Sequence, residues 1–174
     1  MLQLIQVLFS IRHKALSRWT LSAAEWDFPS CSESSTWKAV KESQGFSHLT
    51  LAAHGVMMDG DFADLLRVHY VKPGKHPSVP APVSVPSEAS PFHTFSPGEI
   101  SRYAEETGDP SAQGTQTVPP LLLLRTLLQK YPTHSGQIRF HAPISQEIPV
   151  FLLRDETGMT GYVQQMKVFD VSLN

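Results

Sequence analysis

Cysteine is nearly absent. Cys31 is the single one in 174 residues, so one chain cannot hold a disulfide, and a zinc site would need histidines and carboxylates as ligands. A reducing compartment is the easier reading of that composition. Charge is also scarce: charged residues make up 17%, and a net charge of −2 with pI near 6.4 leaves no footprint for nucleic acid or an anionic membrane. No apolar run approaches the ~20 residues that cross a bilayer. There is no Gly-rich phosphate loop, nucleophile elbow or HExxH pair, and nothing repeats at a fixed period. His54, Asp59, Asp61, Asp64 and His69 form the one group of metal-ligand types, without metal-ligand spacing, and read as a solvated acidic loop. No cofactor and no metal are expected, and neither nucleic acid nor membrane is expected as a partner.

Proline, by contrast, is plentiful, with 14 in the chain. Pro73, Pro77, Pro80, Pro82, Pro86, Pro91 and Pro97 crowd into one stretch. Because Pro fixes φ and has no N–H, that stretch cannot be a helix or a central strand. It divides the chain into residues 1–72, a Pro-rich connector at 73–91, and a domain at 92–174. The connector is either a polyproline-like spacer or an arm laid over the domain surface, as Val79, Val83 and Val85 would allow.

Residues 1–72 are the harder part. Met1–Phe9 is apolar and is followed by Arg12, His13, Lys14 and Arg18, with no acid before Glu25. A secretory signal puts its charge ahead of its apolar run, so the order is wrong for one. A mitochondrial presequence is basic and acid-free but also Ser- and Arg-rich, which leaves the mitochondrion as an alternative to a cytoplasmic location. The preferred reading of Met1–Phe9 is a strand or helix of the fold itself. Leu21–Trp26 after Thr20 reads as a capped helix, Leu49–Ala53 as a buried strand, and Phe62–Tyr70 as a helix through Phe62, Leu65, Leu66 and His69.

Beyond the connector the signals sharpen. Ser96-Pro97-Gly98-Glu99 predicts a capping box with Pro at the first helical position, and Thr107-Gly108 predicts the stop. Val118–Tyr131 predicts a helix apolar on nearly every face, hence central. Strand-like segments follow at Gln137–Ala142, Pro149–Arg154 and Gly161–Val171, with a turn at Asp155–Gly158. His134 and His141 flank the first of them, and His141 is expected to point outward.

Phe95–Ala104 followed by Thr107-Gly108-Asp109, then Ile138-Arg139-Phe140-His141-Ala142-Pro143-Ile144, resembles the MaoC-like dehydratase/hydratase family over residues 92–174. The resemblance implies an α+β hot-dog fold, an antiparallel sheet wrapped around a long helix, with residues 1–72 either packed on it or forming a degenerate second lobe. It implies an acyl-CoA or acyl-carrier-protein thioester as substrate, with water added or removed at the β-carbon. It also implies a homodimer, a pairing with a second hot-dog subunit, or an internal pseudo-dimer.

The family's Gly-Asp-x-Asn-Pro-x-His signature corresponds to Gly108-Asp109-Pro110-Ser111-Ala112-Gln113-Gly114. Asp109 is kept, Ser111 replaces Asn, and Gly114 replaces His. Pro119 and Pro120 stand at the helix start where the family often has His-Gly. On the enzyme reading Asp109 is the base, Ser111 or Gln113 positions the water, and the Leu121 amide polarises the carbonyl. Leu121, Leu122 and Phe140 would line the acyl site. An Asp alone is a weak base at its ordinary pKa of ~3.9. The alternative is therefore a non-catalytic hot-dog subunit or an acyl- or partner-binding module.

Overall fold

The computed structural model describes residues 1–174 except 12, 30–35, 75–80, 113, 115 and 174. Cys31 and Gln113 lie outside the described residues. Helix α1 (Leu2–Ser10) and a 3₁₀ turn (Lys14–Ser17) lead into β1 (Thr20–Asp27), β2 (Thr36–Gln44), β3 (His48–Val56) and β4 (Phe62–Val71). After the connector come β5 (Ser90–Thr94), α2 (Pro97–Thr107), a 3₁₀ turn (Pro110–Ala112) and α3 (Pro120–Lys130). Then follow β6 (Ser135–Phe140), β7 (Pro149–Arg154), β8 (Gly158–Val163) and β9 (Met166–Leu173).

All nine strands form one antiparallel sheet in the order β2-β3-β4-β1-β6-β9-β8-β7-β5. That order reads as two similar lobes. Each lobe has a helix followed by four strands, and in each the first of these strands lies at the seam, with the fourth, third and second following outward. The two seam strands pair with one another, Ala24 of β1 opposite Ile138 of β6. β5 adds a fifth strand outside β7. Pro91 is tolerated there because β5 is an edge strand. On the other flank, β2 carries Lys38, Lys41 and Glu42, the kind of charge that keeps an open edge from recruiting another strand.

Burial, rather than capping, holds α1. Its N-cap Met1 offers no side-chain bond, while Leu4, Ile5 and Leu8 are all fully buried on one stripe, packed over β2, β3 and β4. α2 is held at its ends as expected. Ser96 Oγ accepts from Glu99 N–H, Glu99 Oε2 accepts from Ser96 N–H, and Gly108 closes the helix at φ 69°. A side chain is disfavoured at that φ, which is why the stop needs glycine. Glu99 also binds His93 on β5 (2.8 Å), fastening helix to strand. In α3, Leu121, Leu122, Leu123, Leu124 and Leu127 enter the core shared by both lobes.

Two expected helices are strands. In Phe62–Val71 the buried residues are Leu66, Val68 and Tyr70, a period of two that places Leu65, Arg67 and His69 on the outer face. The adjacent Leu65-Leu66 pair is what imitates helical spacing. Leu21–Trp26 lies in β1, where a bulge between Leu21 and Ala23 breaks the alternation and makes Leu21, Ala24 and Trp26 look helical. Gly161–Val171 is not one strand, because Gln164-Gln165 form a two-residue hairpin loop between Val163 and Met166. Gln164 adopts φ 53° there without any of the usual turn residues to announce it. Gly161 sits beneath Phe169, where a Cβ would overlap the ring.

Candidate site at the seam between the lobes

The loop after α2 is built around one carboxylate. Gly108 turns the chain in the left-handed region, and Asp109 then points inward, 2% exposed. Its Oδ1 accepts from the Ser111 N–H (2.8 Å) and the Ser111 hydroxyl (2.7 Å). Its Oδ2 accepts from the Tyr103 hydroxyl, one helical turn back on α2 (2.9 Å). The Asp109 N–H donates to Thr107 Oγ1, whose hydroxyl in turn donates to the Tyr103 carbonyl. Short-range Asx and Thr turn chemistry thus makes the loop rigid from within.

Three donors on a carboxylate ordinarily lower its pKa. Here burial outweighs the bonds from Ser111 and Tyr103 and holds Asp109 above the usual carboxylate range. Burial, with the Asp109 charge added, also pushes the Tyr103 hydroxyl far up, so it stays a donor. A second tyrosine shares this environment from the other lobe. Tyr70 of β4 is 5% exposed, and burial together with the charge of Asp109 keeps its hydroxyl protonated.

The N-terminal lobe meets this loop at further points. The 3₁₀ turn Lys14–Ser17 packs against Pro110–Ala112, and α1 against α2. Gln6 Nε2 donates to the Glu106 carbonyl (2.8 Å), while the Glu106 side chain pairs with Arg125 of α3 (2.7 Å). Asp109 therefore sits in a loop that follows α2 and whose next turn packs on the N-terminal lobe.

The other residues singled out in the sequence fall as follows. Ser111 is bound to Asp109. Gly114 has φ 68°, so a histidine at that position would be strained in this loop. Pro119 is the N-cap of α3 and Pro120 its first residue, and the Leu122 and Leu123 amides both turn back to the Pro119 carbonyl. That leaves the Leu121 N–H as the donor at the helix start without an intrahelical acceptor. Leu121 and Leu122 are buried in the core, and Phe140 lies half-buried beside it at the end of β6, opposite Phe169. Among the described residues no hydrogen bond joins Asp109 to α3.

Two surface recesses lie elsewhere. One, of about 470 Å³, is lined by Pro82, Val83, Ser84, Val85 and Gln165. The other, of about 390 Å³, lies over Glu25, Asp27, Leu65 and Gln137. Neither reaches Asp109. Among the described residues no group of three metal-ligand side chains occurs. His54 stacks on Phe62, His69 binds Glu25, and His141 binds Asp170 on the outer face.

Sequence reasoning missed Tyr70 altogether and saw Tyr103 only as part of a motif. The available signal for Tyr70 was a hydroxyl on the same alternating face as Leu66 and Val68.

The sequence matches no known protein family and none of the curated proteins. Its structure is similar to several solved ones. HtdX from Mycobacterium tuberculosis superposes with a TM-score of 0.65 at 12% identity, over 90% of this chain and 76% of that one. A MaoC-like dehydratase from Phytophthora capsici gives 0.55 at 13% identity, over 95% and 74%. An acyl-ACP thioesterase from Bacteroides thetaiotaomicron gives 0.58 at 12% identity, over 89% and 75%. The chain has the hot-dog fold. With 89–95% of the chain covered, the likeness runs through residues 1–72 as well.

Proposed function

We propose that this hot-dog protein binds an acyl thioester, carried on CoA or acyl-carrier protein, at the seam between its lobes. We further propose that it adds or removes water at the β-carbon, with Asp109 as the base. The observation that carries this reading is the state of Asp109. A base must titrate near the working pH and be held in orientation. Burial raises the pKa of Asp109, and Tyr103 and Ser111 hold its two oxygens. That shift is in the direction a base needs. Three bonds also leave part of the carboxylate's capacity of about four acceptor positions for a water. The names of the similar structures, dehydratases and thioesterases, support the substrate class.

A second reading has its own support. Neither of the two recesses described above reaches Asp109, Gly114 replaces the histidine, and Pro119-Pro120 leave a single free amide on α3. On that reading Asp109 is a loop staple in a non-catalytic acyl- or partner-binding protein.

The two readings part on one experiment. Purified protein is given crotonyl-CoA, and loss of the conjugated enoyl band and release of free thiol are followed together. Enoyl loss without thiol, removed by Asp109→Asn, is the expected result. Thiol release would make the protein a thioesterase. Wild-type turnover in Asp109→Asn would reduce Asp109 to a structural residue.

A further inference from the structure

On the outer face of the N-terminal lobe three side chains form a continuous relay. Thr50 of β3 lies directly opposite His69 of β4, and its Oγ1 is 3.3 Å from His69 Nδ1. The other ring nitrogen, Nε2, is 3.2 Å from Glu25 Oε1 on β1. An ionised carboxylate only accepts, so the shared proton lies on Nε2. In the neutral ring Nδ1 is then left as the acceptor for the Thr50 hydroxyl. Glu25 is fixed in turn by Arg67 Nη1 (3.1 Å) and Gln137 Nε2 (3.1 Å), and the Ser22 hydroxyl holds the His69 carbonyl (2.9 Å). Burial would raise the Glu25 pKa, but donors from Arg67 and His69 outweigh it and keep the carboxylate charged.

We propose that Thr50, His69 and Glu25 form a second reactive centre, in which the Thr50 hydroxyl takes the acyl group of a short ester of a phenol and passes it to water. Thr50 is the nucleophile, His69 its base, and Glu25 the positioning residue that fixes the tautomer of His69. An activated hydroxyl needs a base within reach and a third group that orients the base, and contacts slightly longer than an ideal hydrogen bond are usual before substrate binds. The relay meets each of these requirements.

The surroundings define the substrate. The His69 and Glu25 side chains are 31% and 34% exposed, so an acyl donor reaches the relay from solvent without entering the core. At Thr50, β3 pairs with Ser43 of β2 on one side and His69 on the other, so its amides are committed to the sheet and form no oxyanion hole. The donor must therefore bring its own good leaving group, as a phenol ester does. Thr50 Oγ1 bonds to the acyl carbon while its proton passes to His69 Nδ1, and Glu25 offsets the charge on the ring. The bond to the phenol oxygen breaks, and that oxygen takes the proton from Nδ1. Water then gives a proton to Nδ1 as its oxygen bonds to the acyl carbon. The Thr50 ester bond breaks, Thr50 recovers the proton, and the free acid leaves.

The test gives p-nitrophenyl acetate to the full chain and to Thr50→Val, Thr50→Ser and Glu25→Ala. Release of p-nitrophenolate is followed by absorbance, and acid-quenched protein is mapped by mass spectrometry for an acetyl group. The expected result is acetyl on Thr50 in wild type, a rate about 10²-fold lower in Thr50→Val, and a rate within about threefold of wild type in Thr50→Ser. A histidine ring can attack the same ester by itself, and that route has a distinct outcome. Thr50→Val hydrolysing as fast as wild type would show attack by imidazole and overturn the proposal. Wild type that carries no acetyl on Thr50 would overturn it too, whether or not any variant folds. The role of Glu25 is read from ¹⁵N shifts of the His69 ring, expected to report a proton on Nε2 in wild type and a mixture of tautomers in Glu25→Ala. A wild-type ring protonated on Nδ1 alone, or a ring unchanged in Glu25→Ala, would overturn that role.

Discussion

The two lobes share a plan but are stabilised by different means. The N-terminal lobe has a short helix with no side-chain cap, three fully buried residues on its stripe, and an outer sheet face laced by ions. Arg67 pairs there with Glu25 (3.1 Å) and Glu42 (2.6 Å), and His69 joins Glu25. The C-terminal lobe has an extra strand and an extra helix, a capping box, and a rigid loop holding Asp109. One lobe is chiefly a packed wall. The other carries the polar chemistry on local bonds. These unlike halves meet where β1 pairs with β6.

The largest expected effect tests whether the lobes are one cooperative unit. Leu8→Ala in α1 and Leu124→Ala in α3 each empty a fully buried position, and each should cost ~2–5 kcal/mol. Because both side chains belong to one continuous core, denaturant unfolding should remain a single transition in both variants. Separate transitions, one per lobe, would break the comparison.

Next in size is the capping box. Ser96→Ala should lower stability by about 1 kcal/mol. The uncapped α1 has no counterpart to lose. Smaller still is the outer face, where Arg67→Ala, with its groups about one-third exposed, should change stability by ~0.2–1 kcal/mol, and less at high salt.

The pH dependence of stability separates the Asp109 loop from the other carboxylates. Burial would raise Glu25, Glu99 and Asp170, but donors from Arg67 and His69, from Ser96 and His93, and from Lys167 and His141 outweigh it and hold them low. Those groups contribute stability present above their unfolded pKa and lost as pH falls through the folded one. Asp109 is raised, so its sign is opposite. Its protonated form is favoured by folding, and that contribution is full below the unfolded pKa and lost as pH rises through the folded value. The stability of wild type minus that of Asp109→Asn should therefore decline as pH rises through that window. A difference flat with pH would show that burial does not shift Asp109.

What the sequence revealed follows the same division. The elements that were legible announce themselves locally: Ser96 and Glu99 at the start of α2, Gly108 at its end, the Leu run of α3, and the Asp155 turn, whose carboxylate accepts from Thr157 and Gly158. The N-terminal lobe depends instead on pairing partners distant in sequence. A bulge at Leu21/Ala23 and the adjacent Leu65-Leu66 imitate helical spacing, and only the register of β4 between β1 and β3 decides for strand. Asp109 was visible because it lies in a motif. Tyr70 was not, because only the strand period of β4 turns it inward.

The most direct test of the account is the pH–rate profile of crotonyl-CoA hydration for wild type and Asp109→Asn. The account predicts a wild-type rate that rises with pH, with a midpoint above the ordinary carboxylate value of ~3.9, and a rate at least ~10²-fold lower in the variant with that midpoint gone. A variant that hydrates as fast as wild type, with the same profile, would contradict it.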